Sequence, residues 1–286
     1  MSVTIDTAFV KQFSANVHLL AEQRMSRLRS RVLTESVTGE SFSKERIGTT
    51  QDAANASDVR HGDTPLNNTP HTRRWGFIAD YDVADLIDRQ DRVKLLIDPD
   101  SAYTLRHAGV MGRTMDTTII AALEGSSTEG KNATTTTALP SAQKIASGSV
   151  GLTVAKLIQA KEILDAAEVD DFYERTFVCA AAQVSDLLED DKVTSKDYNT
   201  VQALVAGKID EFMGFKFVRS QRLTDSSGRL CYAFVQPAIT FGIAVEPNSV
   251  ANDRPDKKNA KQIYTSGSWG ALRSEDAMVV QVACTE

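Results

Sequence analysis

Between residues 34 and 74 the chain is dominated by Thr, Asn, Asp, Ser and Gly, includes Pro65 and Pro70, and has very few large apolar side chains. Ordering a backbone costs about 1–2 kcal/mol per residue, and this stretch has too little apolar area to offset that within one chain. A segment so long without core residues is unusual inside a compact domain, so it reads as disordered in isolation, as functional, or as an arm that folds on a neighbour. Directly after it, Trp75, Phe77, Tyr81 and Val83 share one face at period two. That spacing predicts a long returning β-strand anchored by the aromatics.

The flanking segments carry ordinary core patterns. From Ile5 to about Arg31, Phe9, Phe13, Val17, Leu20 and Leu28 give a helical apolar stripe that ends in Arg24, Arg27, Arg29 and Arg31. Those arginines would cap the helix dipole or form an inward-facing basic arm. Asp98-Pro99-Asp100-Ser101 predicts a helix start. Leu105, Ala108, Gly112, Met115, Ile119 and Leu123 carry that helix to a close near Gly125. Residues 126–149 read as an exposed loop with some strand character. Beyond Gly151 the pattern turns α/β, with a helix on Val154, Leu157, Ile158, Lys161 and Leu164, a strand over 175–179 and a short helix over 181–190. Strands follow over 214–218 and 230–235, then a helix or strand over 238–245. Met278, Val280, Val282 and Cys284 form one face of a terminal strand.

Known chemical signatures are weak. A net charge of −6 over 286 residues argues against avid, sequence-independent nucleic-acid binding, which needs clustered cations. Cys179, Cys231 and Cys284 are widely spaced and read as buried, reduced thiols. No stretch is long and apolar enough for a membrane span, and the N-terminus lacks a signal-peptide core. Gly125 to Asn132 imitates a phosphate-binding loop, but Asn132 replaces the Ser or Thr that holds Mg²⁺, and the segment follows a helix rather than a strand. His18, His61, His71 and His107 have no metal-binding spacing. Asp80, Asp82, Asp85, Asp88 and Asp91 lack the glycine and final glutamate of a calcium loop and read as a solvated or inter-subunit edge. There is no GxSxG elbow. Neither a cofactor nor a metal is expected.

The order of these segments resembles the major capsid proteins of tailed bacteriophages, whose fold is the Hong Kong 97 type. The features that carry the resemblance are the N-terminal arm, the long extended loop and the helix near Asp98–Gly125. Lys161-Glu162-Ile163-Leu164-Asp165-Ala166-Ala167-Glu168-Val169, Glu174-Arg175-Thr176-Phe177-Val178 and Gln183-Val184-Ser185-Asp186-Leu187-Leu188 continue it. Gly214-Phe215-Lys216-Phe217-Val218-Arg219-Ser220 and Trp269-Gly270-Ala271-Leu272-Arg273 complete it.

The resemblance implies an α+β chain with an N-terminal arm (1–33), an extended E-loop (34–90), a peripheral domain with the spine helix (91–149), an axial domain (150–262) and a return to the peripheral domain (263–286). It implies a non-enzymatic shell protein, made in the bacterial host cytoplasm, whose pentamers and hexamers build the icosahedral head around double-stranded DNA in the virion. The chain opens without the long helical preface of some relatives. The implied partners are therefore a separate scaffolding protein, a portal and decoration proteins. Lys44, Arg46, Arg60, His61, Arg73, Arg74, Trp75, Phe77 and Tyr81 are the expected assembly interface. Arg24, Arg27, Arg29 and Arg31 are the expected weak DNA contact. Some relatives join subunits through a Lys and an Asn, but no motif around Lys44 carries that chemistry here. The competing readings are an encapsulin-like nanocompartment shell of the same fold and an intracellular α/β enzyme.

Overall fold

The computed structural model describes residues 23–48, 60, 66, 68–88, 100–170, 172–189, 211–225 and 228–285. The apolar stripe through residue 22, the helix start at 98–99, Asp91 and His61 lie outside the described residues. The chain divides into two compact units, the larger made of Ser26–Asp80, Thr114–Glu246 and Ser268–Glu286. The smaller comprises Tyr81–Arg113 and Pro247–Gly267, with the residues up to Met25.

The larger unit holds a six-stranded sheet built from β7 (Lys144–Ile145), β8 (Arg175–Cys179), β9 (Glu211–Phe212), β10 (Phe215–Arg219), β11 (Arg229–Val235) and β14 (Val279–Cys284), in the order β7-β14-β11-β8-β10-β9. β8 runs parallel to β10 and antiparallel to β11. All five residues of β8 are buried, which is why its sequence reads as a continuous run rather than an alternation. The helix α2 (Val154–Ala166) buries Val154, Leu157, Ala160 and Leu164 at helical spacing, and α3 (Ala181–Glu189) buries Val184 and Leu187. Lys156 is also buried. Its ammonium donates to the carbonyls of Ser147, Val150, Gly151 and Ala283 at 2.8–2.9 Å, so the charge is solvated by backbone oxygens.

A second sheet, also in this unit, has the order β2-β3-β5-β6. β2 (Ser41–Ile47) and β3 (His71–Phe77) form a long antiparallel ladder running from Ser41↔Phe77 to Ile47↔His71. β5 (Ser127–Glu129) and β6 (Thr135–Thr137) are a short hairpin. The segment that imitates a phosphate-binding loop is this hairpin, with Gly130 at φ +97° supplying the turn.

The long helix α1 (Asp100–Glu124) buries Met115, Ile119, Ile120 and Leu123 in the larger unit and Met111 in the smaller. A third sheet, of order β1-β12-β13-β4, is formed by β1 (Leu33–Ser36), β4 (Ala79–Ile87), β12 (Ile239–Arg254) and β13 (Ala260–Arg273). In the smaller unit the buried His107 of α1 lies between Asp85 Oδ2 (3.0 Å) and Thr265 Oγ1 (3.1 Å), and Thr265 Oγ1 is 2.7 Å from Ser249 Oγ.

Three sequence expectations need correction. Residues 23–31 are not the end of an α-helix, because Arg29–Arg31 make a single 3-10 turn that passes into β1. The strand expected over 75–83 breaks at Ile78, whose N–H donates to Glu40 O, and its halves join different sheets. Residues 33–36, 41–47 and 71–77 are already paired as strands within one chain, where an unordered arm was expected. Within β3, Trp75 and Phe77 do share one face, and it is the outer one. Arg74 and Gly76 are buried, Trp75 is half-buried and Phe77 is 53% exposed.

Candidate assembly interface

The root of the β2–β3 hairpin is built around Arg74, which is 1% exposed. Its Nε donates to Glu129 Oε1 at 2.6 Å, and Nη1 and Nη2 fork onto Asp276 at 2.9 and 2.6 Å. Nη1 also reaches the carbonyl of Arg273 at 3.0 Å. Arg273 is equally buried, donating from Nε to Asp276 Oδ1 at 2.6 Å and from Nη1 to the carbonyls of Leu123 (3.1 Å) and Gly125 (2.6 Å). These are orphan carbonyls at the C-terminus of α1, where a cation meets both the free acceptors and the negative end of the helix dipole.

Burial alone would raise the Asp276 and Glu129 carboxyls. The guanidinium hydrogen bonds outweigh it and hold both below the usual carboxylate range, with Arg74 raised in turn. Two cations and two anions thus close an internal network, and the hairpin leaves the body from a fixed base.

Gly76 completes that base. A Cβ there would lie 2.5 Å from the Phe42 ring, and one on Gly242 would lie 2.8 Å from the same ring. The close approach of the strands therefore depends on both glycines.

Beyond the root, the expected interface residues separate into distinct environments. Lys44 pairs with Glu35 and Arg73 with Glu45, both pairs part-exposed. Arg73 also lies over the Trp75 ring, 5.6 Å from its centroid, while Trp75 Nε1 donates to Gly130 O at 2.6 Å. Arg46 Nε donates to Thr72 Oγ1 at 3.3 Å. Arg60 is exposed in a turn. Tyr81 is half-buried and belongs to the smaller unit. Arg74 was grouped with the interface from sequence, but in this chain its donors are spent internally. The hairpin nonetheless carries exposed apolar side chains, at Ile47 (68%), Leu66 (91%) and Phe77 (53%). A groove of about 400 Å³ beside β2 is lined by Lys44, Arg46, Ile47, Pro70, Thr240 and Ser274, among others.

The four arginines of the expected basic arm are also partly committed. Arg27 donates to Arg219 O at 2.6 Å, Arg29 pairs with Glu246 and Arg31 with Glu174, while Arg24 is exposed. Sequence reading missed what holds this segment. Asp116, fully buried on α1, accepts from Ser26 Oγ (2.6 Å) and from the backbone N–H groups of Arg27 (3.0 Å) and Leu28 (3.1 Å). A lone Asp among Met115, Ile119 and Ile120 was the available signal.

Cys179, Cys231 and Cys284 are buried and unpaired, and burial pushes the Cys179 thiol up to about 12. Among the described residues no cluster of three or more His, Cys, Asp or Glu side chains could hold a metal ion. None of the described helices is long and apolar enough to cross a membrane.

Comparison with solved structures finds the same fold over essentially the whole chain. The capsid of the cyanophage P-SCSP1u superposes with a TM-score of 0.74 at 14% identity, covering 100% of this chain and 96% of that one. A structure from Mycobacterium phage Che8 gives 0.73 at 18% identity over 96% and 97% of the two chains. The capsid of a native GTA particle, computed with C5 symmetry, gives 0.73 at 14% over 99% and 98%. Comparison with curated proteins gives no match. The α+β architecture is the Hong Kong 97 capsid fold. The family described as phage capsid protein matches residues 5–286, so this chain belongs to that family and is a structural major capsid protein.

Proposed function

We propose that the chain builds an icosahedral head shell of pentamers and hexamers around double-stranded phage DNA, assembling in the host cytoplasm without catalysing a reaction. The observation that supports this beyond family membership is the hairpin itself, which is rigid at its root and carries exposed Ile47, Leu66 and Phe77. A second copy seated on that surface would bury it, with Lys44, Arg46, Arg60, His61, Arg73, Trp75 and Tyr81 around the contact. In this reading residues 1–33 are the N-terminal arm, 34–90 the extended loop, 91–149 and 263–286 the peripheral domain and 150–262 the axial domain. A separate scaffolding protein, a portal and decoration proteins are the proposed partners.

Expression followed by negative-stain microscopy tests the proposal. Closed shells of uniform diameter are expected, and particles purified from infected cells should contain DNA and a portal. Shells enclosing a cargo enzyme would instead indicate a nanocompartment. A stable monomer at high concentration would overturn the assembly reading.

A further inference from the structure

Three thiols meet on one face of the six-stranded sheet. In the β11–β14 ladder Arg229 lies opposite Cys284, and Cys231 lies opposite Val282. Residues that face each other across a ladder, or lie two apart on one strand, point to the same side, so Cys231 and Cys284 share a face on adjacent strands. The antiparallel register of β8 against β11, in which Val178 faces Tyr232, brings Cys179 beside Cys231 on that same face. All three are fully buried and carry free thiols. The Cys231 and Cys284 thiols are also hydrogen-bond partners of one another, which puts the two sulfurs within reach.

The pair is asymmetric. The hydrogen bond from Cys231, helped by the Lys156 ammonium, holds the Cys284 thiol below the usual thiol range against burial and the Asp186 carboxylate. That ammonium is anchored at the same place, donating to the carbonyl of Ala283 at 2.9 Å. The Cys231 thiol is raised by the same hydrogen bond and by burial, and keeps its proton. A sulfur disposed to ionise thus sits beside one that stays protonated, the arrangement of an attacking and a resolving thiol. The strand end also gives a route of access. Cys284 is the last residue of β14, and β7 pairs with that strand only at Gln281 and Val282. Past Val282 the strand is held by β11 and by the Thr285 N–H donating to Val150 O at 3.1 Å. Local opening there reaches Cys284 without disturbing the centre of the sheet.

We propose that Cys231 and Cys284 are a redox-active dithiol, reduced while the protein is in a reducing compartment and closed into a disulfide by a small disulfide such as oxidised glutathione outside it. The Cys284 thiolate attacks one sulfur of the oxidant, expelling a glutathione thiolate and forming a mixed disulfide. Cys231 then gives up its proton and attacks Cys284 Sγ, expelling the second glutathione thiolate. Two protein thiols are oxidised to one disulfide, and one glutathione disulfide is reduced to two thiols. Cys284 lies two residues along from the position opposite Cys231, so closure draws the end of β14 towards β11 and ties the two strands where their ladder stops. That released shells meet an oxidant rests on the assembly reading, whereas the chemistry does not.

The test exposes the full chain, as shells or as free subunits, to oxidised glutathione at neutral pH and then alkylates it in denaturant. Free thiols should fall from the three of the sequence to one, and peptides mapped without reduction should join Cys231 to Cys284 within one chain. Cys179→Ser should lose both of its remaining thiols in the same way, while Cys284→Ser should keep both. The oxidised wild type should unfold at a higher urea midpoint than the reduced protein, a difference that Cys284→Ser removes. Three thiols that survive an oxidant concentration sufficient to oxidise the urea-unfolded chain overturn the proposal, as does a link that involves Cys179 or joins two chains. Should the serine variants fold poorly, the thiol count and peptide map of the wild type decide it. Shells that form and stay fully reduced under the oxidant overturn only this proposal, whereas a chain that closes the disulfide but builds no shell overturns only the assembly reading.

Discussion

Arg74 shows how a charged side chain can be structural in a segment that reads as loop. Truncating it takes the forked guanidinium from Asp276, which keeps only Arg273, and takes the nearest cation from Glu129, and breaking a buried pair by removing one partner costs about 3–5 kcal/mol. Arg74→Ala should therefore lower the unfolding free energy by roughly 3 kcal/mol in urea titrations, a loss that Arg74→Lys repairs only in part because it cannot fork onto Asp276. The effect depends on pH with a definite sign. Both carboxyls have folded values depressed below their ordinary 3.8 and 4.5. Their contribution is complete above those values and disappears as pH falls through the folded ones. The stability gap between wild type and Arg74→Ala should hold near neutrality and shrink in acid below about pH 4. In sequence, Trp75 and Phe77 share one face of β3 with nothing to mark the other as inward; that inward face is taken by Gly76 and a fully partnered guanidinium, because the Phe42 ring fills the space a side chain at 76 would need.

At the scale of elements, α1 is legible because Met115, Ile119 and Leu123 repeat every four residues, and Gly125 follows its end. α2, α3, β8, β10 and β11 are legible for the same kind of reason, since each buries a contiguous or periodic apolar set. The full length of β12 is not. Beyond Val245 it contains Pro247, Asn248, Asn252 and Asp253, residues depleted in strands, and pairing in the sheet overrides that preference. The segment after residue 23 is misread for a different reason. Its order comes from Asp116, some ninety residues away, which caps a turn rather than a helix. Asp116→Ala would leave the Arg27 and Leu28 amides without their acceptor, at a cost of about 1–3 kcal/mol. Hydrogen exchange should show faster exchange at those two amides while β8 and β11 stay protected.

For the whole molecule, the pairing of residues 41–47 with 71–77 was not legible in a stretch that reads as an unordered arm. Lys44 and Arg46 sit in β2, paired across to Arg74 and Thr72, whereas Arg60 is exposed in a turn. Trypsin acting on unassembled subunits should therefore cut first at Arg60, with Lys44 and Arg46 protected in the monomer and all three protected in shells. Deleting residues 45–72 should leave a soluble, folded subunit that no longer closes shells, as read by sedimentation. Normal assembly of the deletion variant would remove the hairpin from the mechanism. DNA binding by free subunits should be weak and lost by a few hundred millimolar salt. Because Arg27, Arg29 and Arg31 already have internal partners, Arg24→Ala should weaken it most, as measured by fluorescence anisotropy.

The buried root also fixes how force passes through a subunit. A pull on the hairpin reaches β3, then the Arg74 guanidinium, then Asp276, then Arg273, and arrives at the last carbonyls of α1 through the contacts at 3.1 and 2.6 Å. The arm is thus a lever set in a socket rather than a flap on a hinge. Tension from a neighbouring copy would thus arrive first at the C-terminal turn of α1.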